Sequence, residues 1–318
     1  MEDIIKTYNT KKQQLIHSVN VLWNNAVKKR QPASVLKKYQ ITLNTYYNTQ
    51  LKILDNERDR LILLLNSSGS STTSPSKKAC LVGINYKGTS AELRGCVNDV
   101  YILRDLLVSQ YKYKIEDIIV LTDQQATRQN ILLAFTSLVQ HAKSGDSICF
   151  TFSGHGSYVK DVNSEEADGQ DELIVTVDNY AIVDDEFKLI VDTYLKPGVN
   201  MFTIFDSCHS GTVLDLKYSF DKNTTTIIND SYKETKGNVI LLSGCRDDQV
   251  SMDAFINKSF NGALSSAFVL SVRNNPTMTW NELLIKMKEV LTANQMAQIP
   301  QISAGNQLTS MSDLQVNI

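Results

Sequence analysis

His155, in Ser153-Gly-His-Gly156, and Cys208, in Asp206-Ser-Cys-His-Ser-Gly211, stand 53 positions apart in a chain of 318 residues. Each motif closes a run with strand character: Asp146-Ser-Ile-Cys-Phe-Thr-Phe before the first, Asn200-Met-Phe-Thr-Ile-Phe before the second. Side chains at the carboxyl ends of neighbouring parallel strands can meet in space. An ordinary thiol titrates near about pH 8.5, so only a few per cent is thiolate at neutral pH. A nearby imidazole takes the thiol proton or pairs with the thiolate, and later protonates a leaving amine. That is the chemistry of acyl transfer by a thiol. Gly154 and Gly156 let backbone approach a substrate, and the amides of Gly156 and Cys208 can face an oxyanion. Two such residues in isolation would read more readily as a buried structural cysteine and a capping histidine. The flanking motifs tip that balance.

Carboxylates accompany the pair. Asp206 precedes the nucleophile by two residues, and Asp99 lies at a loop-to-helix turn expected beside the same strand ends. Two carboxylates beside a thiol repel acidic side chains and pair with Arg or Lys, the guanidinium fork being the better match. Taken alone, Asn98-Asp99 reads as a helix N-cap. A second acidic set is scattered over Asp168, Asp171, Glu172, Asp184, Asp185, Glu186 and Asp215. Oxygen ligands from several loops suit a hard ion such as Ca²⁺, although by spacing alone these are an ordinary solvated surface. No EF-hand is present, since the nearest start, at Asp161, has Glu166 where the turn glycine belongs. The four histidines and five cysteines form no zinc-ligand spacing. A phosphate-loop lysine, a Gly-x-Gly-x-x-Gly turn and a Gly-x-Ser-x-Gly elbow are all lacking, which disfavours nucleotide binding and serine hydrolysis.

The elements that must position these groups alternate. Strands are expected at Ala79–Asn85, 117–121, 147–152, near 173–177, at 201–205 and at 238–243, with helices at 98–110, 127–142, 262–273 and 279–293. Near-continuous apolar strands separated by helices predict an α/β fold with a mostly parallel sheet covered on both faces. Ahead of them, residues 4–29 place Leu15, Val19, Leu22 and Ala26 on one helical face, and Pro32 breaks the pattern. A second helix is expected over 33–65, with Leu36, Tyr39, Leu43, Tyr46 (or Tyr47), Leu54, Leu61 and Leu65 along a stripe. The domain reading is therefore a helical hairpin over 1–65, a Ser/Thr/Gly linker over 66–77, and a main domain over 78–318.

The net charge of −2 divides into +6 over residues 1–76 and −8 over 77–318. The acidic part argues against nucleic acid as a target and suits cationic ligands. For the basic front segment, a solvated helical face is the commoner reading than a polyanion site. An odd cysteine count with no Cys-x-x-Cys and no secretory signal predicts reduced thiols in the cytoplasm. The longest apolar run, Leu61-Ile-Leu-Leu-Leu65, is too short to cross a bilayer, so no membrane partner is expected.

The segments from Lys78 to about Gly305 resemble the metacaspases, caspase-like cysteine peptidases. The likeness is carried by Cys80-Leu-Val-Gly-Ile-Asn-Tyr, Leu93-Arg-Gly-Cys-Val-Asn-Asp-Val, Phe152-Ser-Gly-His-Gly-Ser, Asp168-Gly-Gln-Asp-Glu, Ile182-Val-Asp-Asp-Glu, Asp206-Ser-Cys-His-Ser-Gly-Thr-Val-Leu-Asp, Ser243-Gly-Cys-Arg-Asp-Asp-Gln and Gly262-Ala-Leu-Ser. A histidine roughly 50 residues before the cysteine fits caspase order. The resemblance implies a caspase-like fold, a His155/Cys208 dyad, and cleavage of protein or peptide substrates after Arg or Lys. It maps the specificity pocket onto Cys96, Asp99, Ser153 and Asp206. It also implies calcium stimulation through Asp171, Asp184, Asp185 and Asp215.

The front segment departs from the family's Pro/Gln-rich arm and zinc finger. A short connection, expected as a loop over 217–236, favours the type I layout, dividing the main domain into 78–216 and 237–318. Lys217, Lys222, Lys233, Lys236 and Lys28-Lys29-Arg30 are candidate self-cleavage points in a monomeric zymogen, ordinary surface lysines being the commoner reading. The competing function is a catalytically silent caspase-like scaffold acting through its N-terminal helices, whose partner the sequence does not name. The intact cysteine, histidine and acidic residues argue against it.

Overall fold

In a computed structural model of the chain, apolar runs become strands and the amphipathic runs between them become helices. In chain order these are β1 (Lys77–Gly83), α1 (Cys96–Ser109), β2 (Ile118–Thr122), α2 (Arg128–His141), β3 (Ser147–Ser153), β4 (Gly156–Lys160), β5 (Gln170–Val175), β6 (Ala181–Val183), α3 (Asp184–Tyr194) and β7 (Asn200–Asp206). There follow β8 (Tyr218–Asp221), β9 (Thr224–Ile227), β10 (Asn238–Ser243), β11 (Asp253–Ile256), β12 (Ser259–Gly262), α4 (Ala263–Asn274), α5 (Trp280–Ala293) and β13 (Gln301–Ala304). The structure describes residues 9–16, 18–22, 34–37, 40 and 43, and all from Pro75 on except 161–169, 209–210, 222–223, 229–231, 245–252, 257–258, 276, 297, 308–315 and 317.

The chain divides into two units, Met1–Ser74 and Pro75–Ile318. In the first, every described residue is helical; Leu15 and Val19 are half-buried, Leu43 is buried, and Leu22 is exposed. Leu36 is helical and half-buried, while Ala26, Tyr39, Tyr46, Tyr47, Leu54, Leu61, Leu65 and Lys28-Lys29-Arg30 lie outside the described residues, as do Lys222, Asp168 and Cys245.

In the second unit an eight-stranded sheet runs in the order β2-β1-β3-β7-β10-β13-β8-β9. The pairings from β2 to β10 are parallel, and those from β10 to β9 are antiparallel. This is the expected mostly parallel, caspase-like sheet. Because neighbouring residues of a strand face opposite sides, the parallel strands feed two cores. Leu81, Cys149, Phe202 and Leu242 join the apolar faces of α1, α4 and α5. Val82, Phe150, Phe205 and Leu241 join α2 and α3. On that second side Phe135 of α2 and Phe187 of α3 meet edge-to-face at 5.0 Å, and both pack on the Phe150 ring. Burying each ring is worth about 1.5–3 kcal/mol, enough to hold a helix with as polar an outer face as α3.

Several elements differ from expectation. The strand expected near 173–177 is β5, and it belongs to a separate antiparallel sheet of β4, β5 and β6. The helix α3 was hidden by its acidic start, Asp184-Asp185-Glu186, which suits the positive end of a helix. The connection over 217–236 is not simply a loop. Tyr218 and Phe220 alternate inward, and with the β-branched run from Thr224 to Ile227 they form β8 and β9 on the main sheet.

Candidate active site

The ends of β3 and β7 build the site. Ser153 and Asp206 are register partners there, and beyond them the two chains stay side by side. The Gly154 N–H donates to the Asp206 carbonyl at 3.3 Å. A Cβ placed on Gly156 would lie 2.0 Å from the Cys208 carbonyl oxygen and 3.1 Å from Ser207 Cβ. His155 thus sits in a strip of backbone running directly against the strip that carries Cys208. Only glycine permits that approach. His155 and Cys208 are both half-buried.

The imidazole is tethered. His155 Nε2 lies 2.7 Å from the Ala91 carbonyl oxygen. A carbonyl only accepts, so Nε2 carries the hydrogen and Nδ1 is the basic nitrogen of the neutral ring. Tyr86 stacks on it with ring centroids 4.6 Å apart, and its hydroxyl accepts the His155 N–H at 2.9 Å. Gly156 pairs with Ile174 beside the bonded Val175–His155 pair. Hydrogen-bonded and non-bonded pairs alternate along such a ladder, so the Gly156 N–H points away from β5.

The acid pair lies deeper. Asp99 is 0% exposed and Asp206 3%. Asp99 is not a cap, since the N-cap of α1 is Gly95. Its carboxylate accepts the Ser153 hydroxyl at 2.5 Å and the Gly262 N–H at 2.8 Å. Asp206 accepts the Ser265 N–H at 2.8 Å. A Cβ on Gly262 would stand 2.2 Å from Asp206 Oδ2 and 2.7 Å from Asp99 Oδ2, so both carboxylates converge on that one glycine. Gly262 is the N-cap of α4, and the positive end of that helix therefore faces both acids. Cys96, buried, opens α1 one turn before Asp99. All four expected pocket positions are buried and lie at or next to these strand ends.

The family description "Metacaspase, peptidase C14 domain" matches residues 77–217. Metacaspase-1 of Pyricularia oryzae is 37% identical, the match covering 73% of this chain and 72% of that protein. Metacaspase-1 of Schizosaccharomyces pombe is 36% identical, over 75% of this chain and 69% of that protein. The chain belongs to the metacaspase family. It therefore carries that family's cysteine-peptidase domain. A crystal structure of a Geobacter sulfurreducens protein, 21% identical, shares the fold with a TM-score of 0.58, over 76% of this chain and 98% of that one.

Within the metacaspase domain the other acids gather separately. Asp184, Asp185 and Asp215 offer oxygens that all lie within 4.8 Å of one another, while Asp171, on β5, stands outside that group. Asp184 accepts the N–H groups of Glu172 at 2.6 Å and Asp185 at 2.7 Å. Asp215 has φ 45°, in the left-handed region that Asp tolerates better than most residues. Four cysteines are described, all as free thiols. Burial pushes Cys80 up to about 12 and Cys149 higher still, so both are inert beside half-buried Cys208.

Sequence reasoning missed four contributors: Tyr86, the Ala91 carbonyl, and the N–H groups of Gly262 and Ser265. Tyr86, Gly262 and Ser265 stood in matched motifs without a role. Backbone groups leave no trace in residue type, so Ala91 gave no signal. Among the described residues no helix is long and apolar enough to cross a membrane.

Proposed function

We propose that this chain is an endopeptidase that hydrolyses peptide bonds after Arg or Lys. The observation that carries the reading is the convergence of Asp99 and Asp206 on Gly262, next to the strand end that leads to Cys208. Two buried carboxylates suit a guanidinium or ammonium group and oppose an acidic side chain. With the substrate's basic side chain there, Cys208 Sγ attacks the scissile carbonyl carbon and its proton passes to His155 Nδ1. The N–H groups of Gly156 and Cys208 would donate to the resulting oxyanion. The C–N bond then breaks, the imidazolium protonates the departing amine, and a thioester remains on Cys208. Water, deprotonated by His155, hydrolyses the thioester and restores the thiol.

Calcium stimulation belongs to the same reading. Asp184, Asp185 and Asp215 form an all-oxygen group suited to a hard cation, with Asp171 as the fourth carboxylate of the expected set. Held by these carboxylates, a Ca²⁺ ion would neutralise the acids at the start of α3 and in the segment after Cys208. Self-processing in a cytoplasmic monomer completes the reading. In the connection, Lys233 and Lys236 are exposed, whereas the Lys217 carbonyl accepts the Ile228 N–H at the base of β8 and β9.

Fluorogenic peptides ending in Arg, Lys or Asp, assayed with calcium or with chelator on wild type and Cys208→Ala, test the proposal. Turnover of the basic peptides only, abolished by Cys208→Ala, is expected. Cleavage after Asp, or activity that survives Cys208→Ala, overturns it. A protein silent towards all three returns the scaffold reading.

A further inference from the structure

In the ladder of β4 and β5, Gly156 opposes Ile174, so His155 opposes Val175. An undistorted antiparallel pair at that position exchanges two N–H···O bonds. Only one is made directly: the Val175 N–H donates to the His155 carbonyl at 2.9 Å. In place of the other stands a side chain. The His155 N–H donates to Tyr86 Oη at 2.9 Å, and Tyr86 Oη donates to the Val175 carbonyl at 2.6 Å. We infer that the Tyr86 hydroxyl is a spacer inserted into this ladder, and that the insertion sets the backbone from which the His155 imidazole projects.

Two further observations support it. Tyr86 has φ 51°, a left-handed conformation that bulky residues seldom adopt and that persists where surroundings enforce it. Those surroundings are a local turn in which the Tyr86 carbonyl accepts from the Thr89 N–H at 3.2 Å and the Thr89 hydroxyl at 2.8 Å. The ring is 5% exposed, and burial raises the phenol's pKa, so it stays protonated and able to donate. The turn at Tyr86 and Thr89 leads to Ala91, whose carbonyl holds Nε2. One short loop therefore fixes the histidine at its backbone and at its ring. Without the hydroxyl, the His155 N–H either closes directly on the Val175 carbonyl, drawing its backbone towards β5, or loses its partner. In both cases the imidazole leaves its working position. Tyr86 is a positioning residue; it touches no reacting atom.

The inference rests on the peptidase reading, and the test separates the two. In Tyr86→Phe, kcat on an Arg peptide should fall about 10- to 100-fold while KM stays within about twofold, as expected for a misplaced catalytic group in an intact binding site. A purely structural tyrosine would lower the thermal midpoint and leave kcat unchanged in the folded fraction. A folded Tyr86→Phe with wild-type kcat overturns the inference and leaves the peptidase reading standing. A wild type that turns over no peptide removes both. Should Tyr86→Phe fail to fold, amide exchange in the wild-type protein decides. The His155 amide should be protected like its neighbours in β5, and exchange as fast as an exposed loop amide overturns the inserted bond.

Discussion

Two groups of aspartates lie in this molecule, and they are built differently. Asp99 and Asp206 come from α1 and β7 and are held by donors from two further elements: the Ser153 hydroxyl at the end of β3, and the Gly262 and Ser265 N–H groups at the start of α4. Asp184, Asp185 and Asp215 are two chain neighbours and one residue from the loop after Cys208. In the first group each carboxylate is aimed by hydrogen bonds, which suits a directional, forked organic cation. In the second, oxygens crowd within 4.8 Å, which suits a small hard ion that imposes its own coordination. Acidic residue type was the same in both. Number and setting distinguish them: two carboxylates around Gly262 in the first, three together in the second, where Asp184 likewise accepts two backbone N–H groups.

The contrast can be broken from its strongest side first. Asp206→Ala or Asp99→Ala should lower kcat/KM for an Arg peptide by roughly 10²–10³-fold, the equivalent of about 3–4 kcal/mol for unpairing a buried charge. An unchanged specificity constant would place the pocket elsewhere. Next, Asp184→Asn should shift the calcium needed for half-maximal turnover upward by about tenfold, because ligand charge tunes affinity, whereas Asp99→Asn should not shift it. Activation curves that move equally in both variants would erase the distinction drawn between the groups.

The smallest effect concerns thiols that the site does not use. Cys80 has its pKa raised by burial from 9.0 to about 12. Between those values the unfolded chain has lost the proton and the folded one has kept it. The stabilising contribution is thus complete below about pH 9 and declines from there to about pH 12, by up to about 1.4 kcal/mol per pH unit. Denaturant melts across that window should show stability falling with pH, and less steeply in Cys80→Ala. Equal slopes would mean that Cys80 titrates normally and is open to solvent.

Legibility followed from what kind of group carries each role. The parallel strands and the helices α1, α2, α4 and α5 were readable because apolar runs and helical stripes mark buried faces. His155, Cys208 and Asp206 were readable as side-chain chemistry at strand ends, and Asp99 as an acid expected beside them. The helix α3 was masked because its first turn is three acids, which resemble a loop until Phe187 and Val191 are seen buried. Strands β8 and β9 were missed because four-residue segments carry little periodicity and owe their form to pairing, β8 with β13 and β9 with β8. Of the four acids in the expected calcium set, Asp184, Asp185 and Asp215 gather within 4.8 Å of one another, and Asp171 is not in that group.

Residue types and their order determined which chemistry was available: a thiol and an imidazole, each just after a strand-forming run, and the acids Asp99 and Asp206. Order along a chain cannot say how backbone dipoles are aimed. The aiming of Gly262 and Ser265 at the acids, of the Ala91 carbonyl at Nε2, and of the Tyr86 hydroxyl between His155 and Val175 was decided by the tertiary structure alone. Those contacts join groups that every residue carries, or that lie far apart in the chain, and only tertiary packing brings them within hydrogen-bond reach.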